Sequence, residues 1–187
     1  MANIGEKIAD FEAQAYHNGE IRKVKLSDYK GKWVVLAFYP GDFTFVCPTE
    51  LEELADRHEK FRKEGAEILS VSTDSVYVHA AWHDHSPAIK KIRYPMLSDT
   101  TRLLCRAFGT YIEGEGISLR GTFIIDPEGV LKSMDIHDNS IGRNADEILR
   151  KLQAAIYVSK HHGEVCPASW KPGAKTLKPG LDLVGKI

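Results

Sequence analysis

The stretch Trp33-Val34-Val35-Leu36-Ala37-Phe38-Tyr39-Pro40-Gly41-Asp42-Phe43-Thr44-Phe45-Val46-Cys47-Pro48-Thr49-Glu50 changes character twice. Its first part, Trp33 to Tyr39, is aromatic and β-branched without period-2 alternation, as expected of a central strand covered on both faces. Pro40-Gly41 ends it. From Pro48 onward Leu51, Leu54, Ala55, His58 and Phe61 recur at helical spacing, and Gly65 supplies a C-terminal stop. Pro48 suits an early helical position because its missing N–H would have no partner there. Cys47 therefore stands where a strand hands over to a helix. A helix N-terminus offers unpaired N–H groups and about half a unit of positive charge, both of which favour thiolate over thiol.

Working outward, Glu67 to Ser72 reads as a second strand and Ser75 to Ser86 as a helix stopped by Pro87. Strand, helix, strand, helix implies a parallel crossover. Gly121 to Ile125 and Val130 to Ile136 flank Asp126-Pro127-Glu128-Gly129, turn chemistry for an antiparallel hairpin. Asn144 followed by Glu147 resembles a capping box for a last helix with Ile148, Leu149, Leu152, Ala155 and Ile156 on its apolar face. Beyond His161 periodicity fades among prolines and glycines. The expected organisation is one α/β domain over residues 1–160, a central mixed sheet with flanking helices, followed by an arm over residues 161–187 that carries Cys166.

Charges balance in the 187-residue chain, 25 basic against 26 acidic, and no run of Lys or Arg makes a stripe for phosphates or lipid headgroups. Nucleic acid and membrane are thus not expected as partners. The N-terminus lacks the apolar stretch of a signal peptide and no segment has the length of a membrane span, so a cytoplasmic location is expected. Three cysteines, Cys47, Cys105 and Cys166, are too few for a structural disulfide framework. A disulfide here would be catalytic.

A free thiol with a pKa of about 8.5 is only a few per cent thiolate at neutral pH, and lowering that by about two units requires roughly 2.7 kcal/mol. A helix end supplies about 0.3–1 kcal/mol, up to about 2 when partly buried. The nearby acids Asp42, Glu50, Glu52 and Glu53 act in the opposite sense. A cation must come from elsewhere in the fold: Arg120, just before one strand, is the first candidate and Arg143, just before the last helix, the second. Cys105, within Leu103-Leu104-Cys105-Arg106, reads as a core residue of a short helix. His79 and His83 share a helical face with His85 close by, but Ala80 stands where a zincin motif needs Glu, so a partly exposed helix face is expected and no metal. Gly114-Glu115-Gly116 fits no dinucleotide or phosphate loop.

Thioredoxin-like oxidoreductases place Cys-x-x-Cys at such a strand-to-helix turn, whereas this chain has Thr44-Phe45-Val46-Cys47. A hydroxyl replaces the second thiol, which suggests an oxygen-bearing electrophile. Together with Phe38-Tyr39-Pro40, Arg120-Gly121-Thr122-Phe123-Ile124-Ile125-Asp126 and Gly163-Glu164-Val165-Cys166-Pro167-Ala168, the segment Asp42 to Glu50 resembles the typical two-cysteine peroxiredoxins, most of all the bacterial alkyl hydroperoxide reductase C-type proteins. The resemblance runs nearly the whole chain, to the ending Leu181–Ile187.

That resemblance implies a thioredoxin-like fold and a thiol peroxidase. Cys47 would attack the peroxide O–O bond and become a sulfenic acid, while Thr44 and Arg120 hold the peroxide and Pro40 shields the pocket. Glu50 and Arg143 would form the supporting polar network. Cys166 would resolve the sulfenic acid as a disulfide between two chains. The resemblance also implies a homodimer assembling to a decamer, no bound cofactor, and electrons from a partner reductant, either a flavoprotein disulfide reductase or a thioredoxin-like protein. The segment Ser86 to Arg93 replaces the Gly-Gly-Leu-Gly of peroxide-sensitive relatives, and the chain ends at Ile187 without their extended helix, so resistance to overoxidation is expected. Two readings compete: a general thiol–disulfide oxidoreductase, opposed by the missing Cys-x-x-Cys, and a holdase whose ring offers apolar surface to unfolding clients.

Overall fold

The computed structural model describes residues 1–186; the ending at Ile187 lies outside the described residues. Strands β1 (Glu12–His17) and β2 (Glu20–Lys25) form an N-terminal hairpin to which the sequence reading assigned nothing. Its turn is Asn18-Gly19, with φ of 51° and 85°, the left-handed pair that a two-residue hairpin turn demands. Strand β3 (Trp33–Phe38) runs through helix α1 (Cys47–Lys63) to the parallel β4 (Ala66–Ser72), and then through α2 (Val76–His85) to the parallel β5 (Met96–Ser98). After α3 (Leu103–Ala107), a small hairpin of β6 (Tyr111–Ile112) and β7 (Ile117–Ser118) uses Gly114-Glu115-Gly116 as its loop. The hairpin β8 (Arg120–Ile125) and β9 (Leu131–His137) and the helix α4 (Ala145–Lys160) complete the elements needed here.

The main sheet has the order β2-β1-β5-β4-β3-β8-β9, with β3, β4 and β5 parallel and the others antiparallel to their neighbours. This is the expected α/β architecture with a central mixed sheet. Every residue of β3 is buried, as its unbroken apolar run predicts. Val34, Leu36, Phe38, Leu69, Val71, Phe123 and Phe108 share one core cluster with Cys105, whose thiol burial pushes up to about 12. Helix α1 buries Leu51, Leu54, His58 and Phe61 on the predicted face and ends at Gly65, φ 75°. Asp126 accepts the N–H groups of Glu128 and Val130 to close the β8–β9 turn. Among the described residues no helix is long and apolar enough to cross a membrane.

The chain divides into two compact units, Met1–Ala145 and the residues from Asp146 onward. The second contains nearly all of α4, with Ile148, Leu149, Leu152 and Ile156 buried, and an irregular segment closed by a bridge between Val165 and Leu177.

One position in β8 admits only glycine without rearrangement. A Cβ at Gly121 would lie 2.6 Å from Thr110 Cγ2 and 2.7 Å from Phe123 Cε2, both on buried side chains. Gly121→Ala is expected to lower stability by about 1–3 kcal/mol, the usual cost of overpacking. A denaturant midpoint unchanged within error would refute that close packing.

Candidate active site

The loop between β3 and α1 is fixed from below by a buried polar cluster. Tyr39 Oη donates to Asp42 Oδ1 at 2.7 Å, His79 Nδ1 lies 2.7 Å from Asp42 Oδ2, and the Asp42 N–H donates to Asp74 Oδ2 at 2.9 Å. Burial pushes the Asp42 carboxyl above its usual range, against the opposing pull of His79. His79 is fully buried and its Nε2 meets the Leu97 carbonyl at 3.2 Å, so the expectation of a partly exposed helix face is corrected at His79, while His83 is partly exposed and His85 exposed. The cause is that α2 packs beside β1 and β5, which encloses His79. Among the described residues no group of three or more His, Cys, Asp or Glu side chains is placed to hold a metal. Phe43, next to the anchored Asp42, has a φ of 53°, a conformation that costs a non-glycine residue about 1–3 kcal/mol and persists only where the surroundings impose it.

Cys47 is the first residue of α1 and is fully buried. Arg120 Nη1 lies 3.3 Å from its Sγ and 2.8 Å from Glu50 Oε2. The other edge of the same guanidinium, Nε and Nη2, donates to the Asn139 carbonyl at 3.0 and 2.8 Å. Arg143 grips Glu50 from the opposite side: Nε to Oε1 and Nη2 to Oε2 at 2.9 Å each, with its backbone N–H to Oε1 at 2.8 Å. Its Nη1 donates to the Gly121 carbonyl at 2.9 Å and Thr122 Oγ1 at 3.2 Å. Of the two candidate arginines, Arg120 touches the sulfur and Arg143 reaches it only through Glu50.

The charge count explains the arrangement. Burial pushes the Glu50 carboxyl up, but hydrogen bonds and charge from Arg143, with Arg120 behind them, outweigh it and hold the group below the usual carboxylate range. Glu50 is therefore an anion between two cations, which leaves one buried positive charge facing Cys47. The acids expected to oppose the thiolate are occupied elsewhere: Asp42 with His79, Glu52 with Lys91 at 2.7 Å, and Glu53 with Arg57 at 3.8 Å and the Ala145 N–H at 3.0 Å.

The structure thus brings Cys47, Glu50, Arg120 and Arg143 into one bonded set. Pro40 is buried at the head of the loop. Thr44 is exposed, and its hydroxyl donates to the Gly41 carbonyl at 2.8 Å, leaving the oxygen lone pairs free to accept. Cys166 belongs to the second unit and is half-buried. Two contributors escaped the sequence reading. Asn139 acts through its backbone carbonyl, which no side-chain pattern announces, and the Asp42–His79 pair joins residues far apart in the chain.

A model of the AhpC/TSA family matches residues 4–134, and one described as the C-terminal domain of 1-Cys peroxiredoxin matches residues 155–184. The chain belongs to the AhpC/TSA family. Membership makes it an enzyme of thiol-dependent peroxide reduction. This AhpC/TSA protein is 50% identical over 187 residues to alkyl hydroperoxide reductase C of Pseudomonas aeruginosa strain UCBPP-PA14, with all of both chains covered. It is 51% identical over 189 residues to the protein of that name from Staphylococcus aureus strain Mu50, again across both chains. Among solved structures, Enterococcus faecalis AhpC matches with a TM-score of 0.86 at 47% identity, covering 89% of this chain and 100% of that one. Reduced Plasmodium vivax 2-Cys peroxiredoxin matches with a TM-score of 0.91 at 35% identity, covering 96% and 94%. The last pairing identifies the family's fold, thioredoxin-like, with the sheet described above.

Proposed function

We propose that Cys47 reduces hydrogen peroxide and organic hydroperoxides to water and alcohols, and that Cys166 of a second chain resolves the product as an intersubunit disulfide. The reading rests on one contact: the Arg120 guanidinium at 3.3 Å from Cys47 Sγ, held there by Glu50 and Asn139. The thiolate sulfur attacks the hydroxyl oxygen of the peroxide, and a sulfur–oxygen bond forms as the O–O bond breaks. The leaving oxygen takes up from solvent the proton that the thiol gave up on ionising and departs as water or alcohol, leaving a sulfenic acid. Charge moves from sulfur to that oxygen during the step. A guanidinium fork beside the sulfur can follow it, since Arg120 carries donors on more than one nitrogen and needs no reorientation. The exposed Thr44 hydroxyl supplies an acceptor for the peroxide O–H, and the buried Pro40 keeps the loop closed over the thiolate.

The sulfenic acid on Cys47 then condenses with the Cys166 thiol. A sulfur–sulfur bond forms, the sulfur–oxygen bond breaks, and water leaves with the Cys166 proton. Two electrons restore the dithiol, and in this reading they come from a partner, a flavoprotein disulfide reductase or a thioredoxin-like protein, with no cofactor bound to this chain. β9 stands last in the order of the main sheet, and its exposed Met134 and Ile136 support pairing of two chains, while the exposed Phe43, Phe45 and Tyr77 support further association to a decamer. A cytoplasmic location belongs to the same proposal.

The test is intact mass and non-reducing electrophoresis after one equivalent of hydrogen peroxide, with peptide mapping of any cross-link. The expected product is a Cys47–Cys166 link between two chains, lost in both Cys47→Ser and Cys166→Ser. An unmodified Cys47 would overturn the peroxidase; a sulfenic or sulfinic Cys47 with no link to Cys166 would overturn the resolving step alone.

A further inference from the structure

Asp42, two residues before Thr44, is held at three points. Its Oδ1 accepts the Tyr39 hydroxyl at 2.7 Å, its Oδ2 lies 2.7 Å from His79 Nδ1, and its N–H donates to Asp74 Oδ2 at 2.9 Å. A carboxylate oxygen accepts, so His79 Nδ1 is the donor of its pair. The other ring nitrogen of His79 lies 3.2 Å from the Leu97 carbonyl, and neither the His79 nor the Asp42 side chain is exposed. Asp74 is anchored in turn. Its Oδ2 also accepts the hydroxyl of Ser72, the last residue of β4, and its carbonyl accepts that of Ser98, the last residue of β5, both at 2.7 Å.

The residue after Asp42 is the strained one. Phe43 has a φ of 53°, a conformation that an aromatic residue keeps only where its surroundings impose it. Its ring lies 6.0 Å from that of Trp82, which follows His79 by three residues on α2. Thr44 comes next, and its hydroxyl donates back to the Gly41 carbonyl at 2.8 Å, across Asp42. The residues Gly41 to Thr44 thus make a closed turn whose fixed point is the Asp42 carboxylate. With its proton on Gly41, the Thr44 hydroxyl presents its lone pairs, and the turn sets where they point. When a bond to Asp42 is lost, Phe43 is free to relax and Thr44 to move with it.

We propose that His79 is a positioning residue for the peroxide reaction: by holding Asp42 it keeps the Gly41–Thr44 turn, and with it the Thr44 hydroxyl, in place for the incoming peroxide. This rests on the reading that Cys47 reduces peroxide with Thr44 as the acceptor for its O–H. Arg120 is held by Glu50 and Asn139 and not through this cluster, so formation of the thiolate is expected to be untouched.

Stopped-flow oxidation of Cys47 by hydrogen peroxide, run beside its alkylation by iodoacetamide, separates placement of the peroxide from formation of the thiolate. Two amides divide the imidazole, since the Asn nitrogen falls near the position of Nδ1 and the Gln nitrogen near that of Nε2. His79→Gln loses the bond to Asp42 and is expected to slow oxidation about ten-fold, as befits a hydrogen bond to a charged group, with alkylation unchanged. His79→Asn keeps that bond and is expected to restore most of the oxidation rate. Tyr39→Phe removes one hydroxyl from the same carboxylate and is expected to act in the same sense as His79→Gln; should His79→Gln not fold, Tyr39→Phe decides alone. In a Thr44→Val background His79→Gln is expected to add nothing, because the group it positions is gone. Oxidation at the unaltered rate in His79→Gln and Tyr39→Phe overturns the proposal. So does a parallel fall in oxidation and alkylation, an equal defect in His79→Gln and His79→Asn, or full additivity with Thr44→Val. Absence of any Cys47 oxidation in the unaltered protein overturns the peroxidase reading, and the positioning role with it.

Discussion

Arg120→Met is expected to slow oxidation of Cys47 by hydrogen peroxide about 100- to 1,000-fold, the range found when one preorganised donor is removed from a developing oxyanion. Arg120 does two jobs through one group. Its Nη1 sits 3.3 Å from the sulfur, and its fork is fixed by Asn139 and Glu50; in the proposed reaction it stabilises the attacking thiolate and then the charge on the leaving oxygen. The two jobs separate by measurement. Alkylation of Cys47 by iodoacetamide needs only the thiolate, so the Arg120→Met defect in alkylation should fade at pH high enough to ionise the thiol unaided. The defect toward peroxide should persist there. Arg120→Lys keeps the charge but loses the planar fork and is expected to restore alkylation better than peroxide reduction. Cys47→Ser sets the zero of both assays. Equal peroxide rates in the Arg120→Met and unaltered proteins would refute the assignment.

Glu50→Ala should destabilise the fold by about 3–5 kcal/mol, the cost of breaking a buried ion pair and leaving its partner charges uncompensated. Glu50 is nearly inaccessible, and it holds both Arg120 and Arg143, at 2.8 and 2.9 Å. Its removal also frees the guanidinium that faces Cys47, so under the proposed mechanism peroxidase activity is expected to fall even in protein that remains folded. Glu50→Gln gives the pH signature. The folded-state pKa of Glu50 is depressed below its ordinary 4.5. Its contribution to stability is therefore fully present above about pH 4.5 and disappears as pH falls through the lower, folded value. The stability difference between the unaltered protein and Glu50→Gln, measured by urea unfolding, should be constant above that pH and shrink below it. A difference independent of pH down to acid unfolding would show that the carboxylate charge is not what stabilises this cluster.

Local patterns carried much of the fold. The unbroken Trp33–Tyr39 run, the helical spacing from Leu51 to Phe61, and Asp126-Pro127-Glu128-Gly129 between two apolar stretches each state a local preference that the structure respects, because strand burial, helix amphipathicity and turn chemistry depend on near neighbours. Asn18-Gly19 carried a hairpin signal of the same kind, beside strands too polar to announce themselves: β2 buries Val24 alone. The site was legible to the extent that its chemistry is local. Cys47 stands at a helix start because Pro48 and the residues after it favour a helix, and that follows from the order of amino acids alone.

Pairings across long sequence separations were decided only when the chain folded. Two arginines were candidates for the cation, Arg120 ranked ahead of Arg143, and the fold sets the distance of each from the sulfur. The antiparallel placement of β8 beside β3 carries Arg120 to the end of the sheet where α1 begins, and leaves Arg143 on the far side of Glu50. Asp42 read as a charge opposed to the thiolate; α2 buries His79 against it, with Nδ1 2.7 Å from Asp42 Oδ2. By itself the sequence determined that a cysteine sits at a strand-to-helix turn, since secondary structure is a local free-energy choice. Tertiary structure alone decided which charges reach the sulfur, since Coulomb and hydrogen-bond energies depend on distances of a few ångström that the fold sets between residues 70 and more positions apart.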